Sequence, residues 1–146
     1  MTAGPSDALA SRLGYLLKHA QQLLVQTAAP AMAKYGIDGR ELAVLTVLSA
    51  SYPMSQHEAA ERLGVDRTTM VALVDELESK GLVERHRSLQ DRRKNIVQLT
   101  EAGEHCLDGA GRLRDNVERE FLAPLGDELG RQFLLALQIL AGVRRE

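Results

Sequence analysis

Ten residues, Arg85-His86-Arg87-Ser88-Leu89-Gln90-Asp91-Arg92-Arg93-Lys94, hold five fixed positive charges and one acid, in a 146-residue chain of formal net charge -2. Guanidinium forks and ammonium groups recognise oxyanions, so the chemistry on offer is phosphate contact. A second group, Asp66-Arg67-Thr68-Thr69 followed by Val71 and Ala72, is small and uncharged apart from its first two members. Hydroxyls of this kind bond base edges or phosphate oxygens, and the methyl groups suit contact with thymine. Catalysis has no comparable constellation. There is no glycine-rich phosphate loop, no nucleophile with a plausible base and no helical pair of metal ligands. His19, His57, His86 and His105 are scattered, and Cys106 stands alone beside His105. The expectation is a non-enzyme without cofactor or metal, with Cys106 an inert buried thiol.

These residues need elements to hold them. Leu9, Leu13, Leu16, Leu17, Ala20, Leu23 and Leu24 recur at helical spacing, which predicts an amphipathic helix over about 7–28, interrupted by Pro30, with a further turn up to Gly36. Asp38 caps a second, more buried helix, 39–51. Ser55-Gln56-His57-Glu58 has the capping-box pattern and opens a short helix closed by Gly64. Asp66 caps the next, through Lys80, with Met70, Leu73, Val74 and Leu77 on its inner face. Leu82–Arg87 and Asn95–Leu99 read as two strands with the cationic stretch as their loop. Thr100 caps a long helix, 101–122; Pro124 and Gly126 break it before a last helix, 127–145. The fold class is mainly α, an α+β wing included, in the order α-α-α-α-β-β-α-α.

Two short helices turning at Gly64-Val65, followed by a hairpin, form a winged helix-turn-helix. Its small core would be Ala60, Leu63, Val65, Met70, Leu73, Val74 and Leu77. The opposite face of the second helix carries Thr68, Ala72, Asp75 and Ser79, flanked by Thr69 and Val71. A basic run is usually a solvated surface. At a hairpin tip, however, its side chains reach phosphates or the minor groove beside the recognition helix. Asp91 is placed to bond a neighbouring guanidinium and fix the loop.

Bulk properties bound the reading. Apolar residues make up 45% and aromatics 3%, with no Trp, so Leu, Val, Ala and Ile must build the core. The single Cys106 excludes an intramolecular disulfide and suits a reducing cytoplasm. No apolar run approaches the ~18 residues of a membrane span, and no secretory signal is expected. Residues 1–146 are expected to be one cytoplasmic domain: a lobe at 38–100, and helices at 7–35 and 101–146.

The segments "SQHEAAERLGVDRTTMVALVDELESKGL" and "LVERHRSLQDRRKNIVQLTEAG" closely resemble the MarR (multiple-antibiotic-resistance regulator) family of bacterial repressors. The matching elements are the Leu63-Gly64 turn, the Asp66-Arg67-Thr68-Thr69 opening, Gly81-Leu82-Val83, the Asp91-Arg92-Arg93 wing and the Leu99 to Gly103 exit. The resemblance implies a homodimer interlocked through its first and last two helices, gripping a pseudo-palindromic operator in double-stranded DNA. Carried over by position, Thr68, Thr69, Val71 and Ala72 face the groove, Arg92 or Arg93 enters the minor groove, and Ser55 and Gln56 contact phosphates. Arg67, Arg85, Arg87 and Lys94 complete the expected DNA-contacting set. Val71-Ala72 departs from the family pattern, where polar or basic residues are common, and shifts weight to the threonines and the wing.

The resemblance also implies a small anionic or phenolic effector bound between the first, second and fifth helices, where Tyr15, Lys18 and His19 are candidates; an ordinary interface cluster is the competing reading. The function expected is a repressor released by a ligand. The alternative is a winged-helix module that binds protein instead of DNA.

Overall fold

The structure, a computed structural model, describes residues 8–50 and 52–143. Six helices and three short strands follow in the order α1 (Leu13–Ala33), α2 (Gly39–Leu48), β1 (Met54–Ser55), α3 (Gln56–Leu63), α4 (Arg67–Ser79), β2 (Val83–Arg87), β3 (Asn95–Leu99), α5 (Glu101–Leu122) and α6 (Asp127–Leu140). A 3-10 turn at Ala123–Leu125 separates the last two helices. By internal contacts the chain divides into two units: Val25–Arg114, and Met1–Leu24 with Asp115–Glu146. The division falls outside the expected 38–100, because α1 and α5 each contribute one end to the lobe.

Local chemistry sets the helix boundaries. The Asp38 carboxylate accepts the Glu41 N–H at 2.8 Å, and the Glu41 carboxylate accepts the Asp38 N–H at 3.2 Å, a full capping box at the start of α2. At α3 the Ser55 hydroxyl accepts from the Glu58 N–H at 3.1 Å. At α5 the Thr100 hydroxyl accepts the Gly103 N–H at 3.0 Å while donating to the Gly81 carbonyl at 2.6 Å. That second bond ties the start of α5 to the entry of β2. A side chain at Gly103 would overlap the Leu82 carbonyl, so this crossing requires glycine.

Four expectations change. The first helix runs unbroken through Pro30 to Ala33, and it begins at Leu13, with residues 8–11 in a turn; residue 7 lies outside the described residues. A mid-helix proline costs about 3 kcal/mol. The turn beyond it offsets that by burying Met32 and packing Ala31 on the core, and Ile37 donates back to the Met32 carbonyl. The second helix stops at Leu48, where the Ser49 N–H and hydroxyl bond back to the Thr46 carbonyl. The last helix stops at Leu140, and residues 144–146 lie outside the described residues.

The fourth change is a third strand. β1 pairs antiparallel with β3 (Met54 opposite Val97), and β2 pairs with the other edge of β3, from Val83 opposite Leu99 to Arg87 opposite Asn95. β1 buries Met54 against the lobe core and so anchors the wing to the start of α3. Of the expected helix-turn-helix core, Ala60, Met70, Leu73, Val74 and Leu77 are buried, and Leu63 and Val65 pack partly buried against them. No described helix is long and apolar enough to cross a membrane.

Candidate nucleic-acid interface

The turn at Gly64 adopts φ +67°, a left-handed conformation that glycine takes without strain. It brings Asp66 to the start of α4, where its carboxylate accepts the Thr69 N–H at 2.7 Å. That bond holds the Asp66 carboxyl below its ordinary pKa of 3.8. Because Met70, Leu73, Val74 and Leu77 are buried, Arg67, Thr68, Ala72 and Asp75 are left exposed; Thr69 and Val71 are half-buried at the flanks. The opening of this helix presents hydroxyls, methyls and one guanidinium.

Backbone bonds fold the wing tip tightly. The Ser88 N–H donates to the Lys94 carbonyl at 2.9 Å and the Lys94 N–H to the Asp91 carbonyl at 3.0 Å. The Ser88 hydroxyl accepts from the N–H groups of Gln90 and Asp91. Asp91 was expected to hold a guanidinium; instead its carboxylate accepts the Arg93 backbone N–H at 3.0 Å. An Asp side chain reaches the N–H two residues on at little conformational cost, the geometry of an Asx turn. The arginine heads are thereby left to solvent. Arg87, Arg92, Arg93 and Lys94 are exposed, and neither they nor Arg67 form an ion pair among the described residues.

Arg85 departs from its expected place among the DNA contacts. Its side chain is only 20% exposed, with Nη1 2.7 Å from Asp75 and 3.2 Å from Glu78. Nε donates to the Gln56 side-chain oxygen at 3.1 Å, and Nη2 donates to the Val71 carbonyl at 3.3 Å. Sequence reasoning did not pair Arg85 with Asp75 and Glu78, which lie one turn apart on α4. Only the β2 register shows that Arg85 falls beside them.

One concavity of about 390 Å³ joins the starts of α3 and α4 to the wing. Its walls include Ser55, Gln56, Arg67, Arg93 and Lys94, together with His57 and Glu61, whose side chains lie 3.0 Å apart. Five of the expected contact residues therefore share one surface; Thr68, Thr69, Val71, Ala72, Arg87 and Arg92 are not among those lining it. A second concavity of the lobe, about 490 Å³, is bordered by Tyr52, Glu104 and Asp108 and by no Lys, Arg or His. Of these two concavities, only the first is lined by cationic side chains.

On α1, the rings of Tyr15 and His19 stack at 5.5 Å between centroids, and Lys18 is exposed. None of the three lines either concavity. Cys106 is buried, and burial pushes its thiol pKa up, away from the reactive thiolate. No group of three or more metal-ligating side chains occurs among the described residues.

A family model described as MarR family matches residues 35–94. YdgJ of Bacillus subtilis (strain 168), an uncharacterized HTH-type transcriptional regulator, is 29% identical over 109 residues, which cover 75% of this chain and 65% of that protein. The chain thus spans a little under two thirds of that relative. The transcriptional repressor CouR bound to a 23-mer DNA duplex has a similar structure, with a TM-score of 0.84 and 33% identity over 99% of this chain and 100% of that one. CouR from Rhodococcus jostii RHA1 bound to p-coumaroyl-CoA gives 0.82 and 28% over 97% and 99%. With the helix-turn-helix, the wing and the flanking helices all in place, this chain belongs to the MarR family of transcriptional regulators.

Proposed function

We propose that the protein is a dimeric repressor that binds a pseudo-palindromic operator in duplex DNA and is released by a small ligand. The observation that carries the reading is the cationic concavity, where the wing, the start of α3 and the start of α4 meet beside unpaired arginines. In this reading Thr68, Thr69 and the methyls of Val71 and Ala72 enter the major groove. Arg92 or Arg93 follows the adjacent minor groove, and Ser55, Gln56, Arg67, Arg87 and Lys94 hold phosphates. The similarity to CouR on its DNA duplex supports this assignment.

Dimerisation is supported by the apolar side chains that α1 and α6 leave exposed, among them Leu13, Leu16, Leu17, Leu134, Ile139 and Leu140. Two-fold symmetry then sets half-sites about one helical turn, ~10 base pairs, apart. A ligand weakens binding by favouring a lobe spacing that mismatches this repeat, and its leverage is its differential affinity for the two states. Tyr15, Lys18 and His19 are its proposed contacts. CouR bound to p-coumaroyl-CoA supports an effector that is aromatic and anionic.

Selection of bound fragments from a pool of random duplexes tests this. A palindromic consensus is expected. Failure to enrich any sequence would favour a module that binds protein instead.

A further inference from the structure

We propose that Arg85 sets DNA specificity without touching DNA: it is a positioning residue that locks the wing to the recognition helix and masks Asp75. This rests on the DNA-binding reading above and adds a residue role to it.

Arg85 lies in the middle of β2, opposite Val97. From there one guanidinium engages α4 at three successive levels, the Val71 carbonyl, Asp75 and Glu78, and α3 at its first residue, Gln56. The Arg85 backbone N–H also donates to Glu78, at 3.1 Å. A single side chain thus joins the three elements that meet around the cationic surface. No other wing cation is held in this way: Arg87, Arg92, Arg93 and Lys94 have no ion-pair partner among the described residues.

Two consequences follow. Asp75 is on the exposed face of α4, where a bare carboxylate would repel phosphates; pairing at 2.7 Å removes much of that repulsion. The Gln56 amide has its oxygen occupied by Arg85, so its NH2 end is the one left to donate to a phosphate. The guanidinium is rigid and forked, and this is why it serves. A lysine keeps the charge but offers three donors from one atom, and cannot span acceptors on two helices.

The test compares Arg85→Lys with the unaltered dimer on two duplexes: one enriched by selection, and a scrambled sequence of equal length and composition. A phosphate contact would be largely rescued by lysine. A positioning residue would not: the selected-to-scrambled affinity ratio is expected to fall about tenfold, the size of one mismatched base pair, with an unchanged salt slope. A ratio equal to that of the unaltered protein would overturn the proposal. So would an Arg85→Gln variant that keeps the ratio but loses about 0.9 of salt slope per lobe, the mark of a lost phosphate contact. If either variant fails to fold, Asp75→Asn is the second probe. It should tighten binding to the scrambled duplex while lowering the ratio roughly threefold, by loosening the clamp on Arg85; an unchanged ratio there also overturns the proposal. Protein that enriches no duplex ends the DNA-binding reading, and this inference with it.

Discussion

The lobe of residues 25–114 and the unit made by the two chain ends treat apolar side chains in opposite ways. Among the described residues, every buried apolar side chain lies between Met32 and Ala110, and the centre of that core, Leu42, Leu45, Met70, Leu77 and Val97, is closed to solvent. In the other unit Leu13, Leu16, Leu17 and Leu23 of α1, and Leu129, Leu134, Leu135, Ile139 and Leu140 of α6, are all exposed. The lobe finishes its core within one chain. The helical unit presents a surface of the kind found when an obligate dimer is cut in half. On the reading proposed above, the difference separates two jobs: a self-contained reading head, and a unit whose stability would depend on protomer concentration.

The largest test of that contrast places charge on the open face. Phe133→Asp with Leu140→Asp puts two carboxylates one heptad apart on α6, where desolvating unpaired charge in an interface costs about 3–5 kcal/mol or more. On the dimeric reading, sedimentation equilibrium should show a monomer at concentrations where the unaltered protein sediments as a dimer. Far-UV dichroism should retain the lobe's share of the signal. Identical sedimentation of the two proteins would break the comparison.

Next in size is Gly103→Ala, which probes how completely the lobe is packed. The new methyl would meet the Leu82 backbone carbonyl, a neighbour that cannot rotate aside. A loss of about 3 kcal/mol in urea denaturation is expected, at the upper end of overpacking. A neutral result would mean that the junction of α5 and β2 yields, and that the lobe is less complete than its burial suggests.

A smaller effect belongs to Glu41, the buried acid of the lobe core. Its carboxylate takes the Lys80 ammonium at 2.7 Å, and this bond holds the Lys80 pKa above the ordinary 10.5. A raised folded-state pKa stabilises at all pH below the unfolded value and stops doing so as pH rises through the folded one. Glu41→Gln keeps the capping acceptor but loses the charge, so it should cost about 2 kcal/mol near neutrality. The gap from the unaltered protein should stay constant to about pH 10 and narrow above it. Denaturation at stepped pH reads this directly, and a gap that widened with pH would reverse the assignment.

Much of this organisation was legible in the sequence. The termini of α3, α4 and α5 follow from Ser55, Asp66 and Thr100, because a capping side chain acts over three residues. The wing strands were readable because Gly81 and the Ser88–Lys94 turn bound them. What escaped needed distance in space. β1 has two residues, too few for an alternating pattern, and it overlaps the capping box of α3. Pro30 read as a break because the packing of Met32 beyond it is tertiary. Arg85 read as one cation among five because its sequence neighbours are a glutamate and a histidine, while Asp75 and Gln56 come from other elements. Local rules located the wing; only the fold could divide its arginines into one that braces and several that remain free.

The smallest test returns to the helical unit and asks what faces it. Gln138 lies among the apolar residues of α6, and its side-chain oxygen is buried without a hydrogen-bond donor among the described residues. An unmatched buried acceptor costs about 1–3 kcal/mol, so within one chain Gln138→Leu should stabilise. In a dimer the partner chain can supply the donor, and a buried amide of this kind fixes the register of facing helices at some expense in stability. On the dimeric reading the substitution should therefore weaken association by about 1 kcal/mol, seen as a lower melting temperature at every protein concentration. A higher melting temperature at every concentration would leave the acceptor an orphan and place the dimer contact elsewhere on the helix.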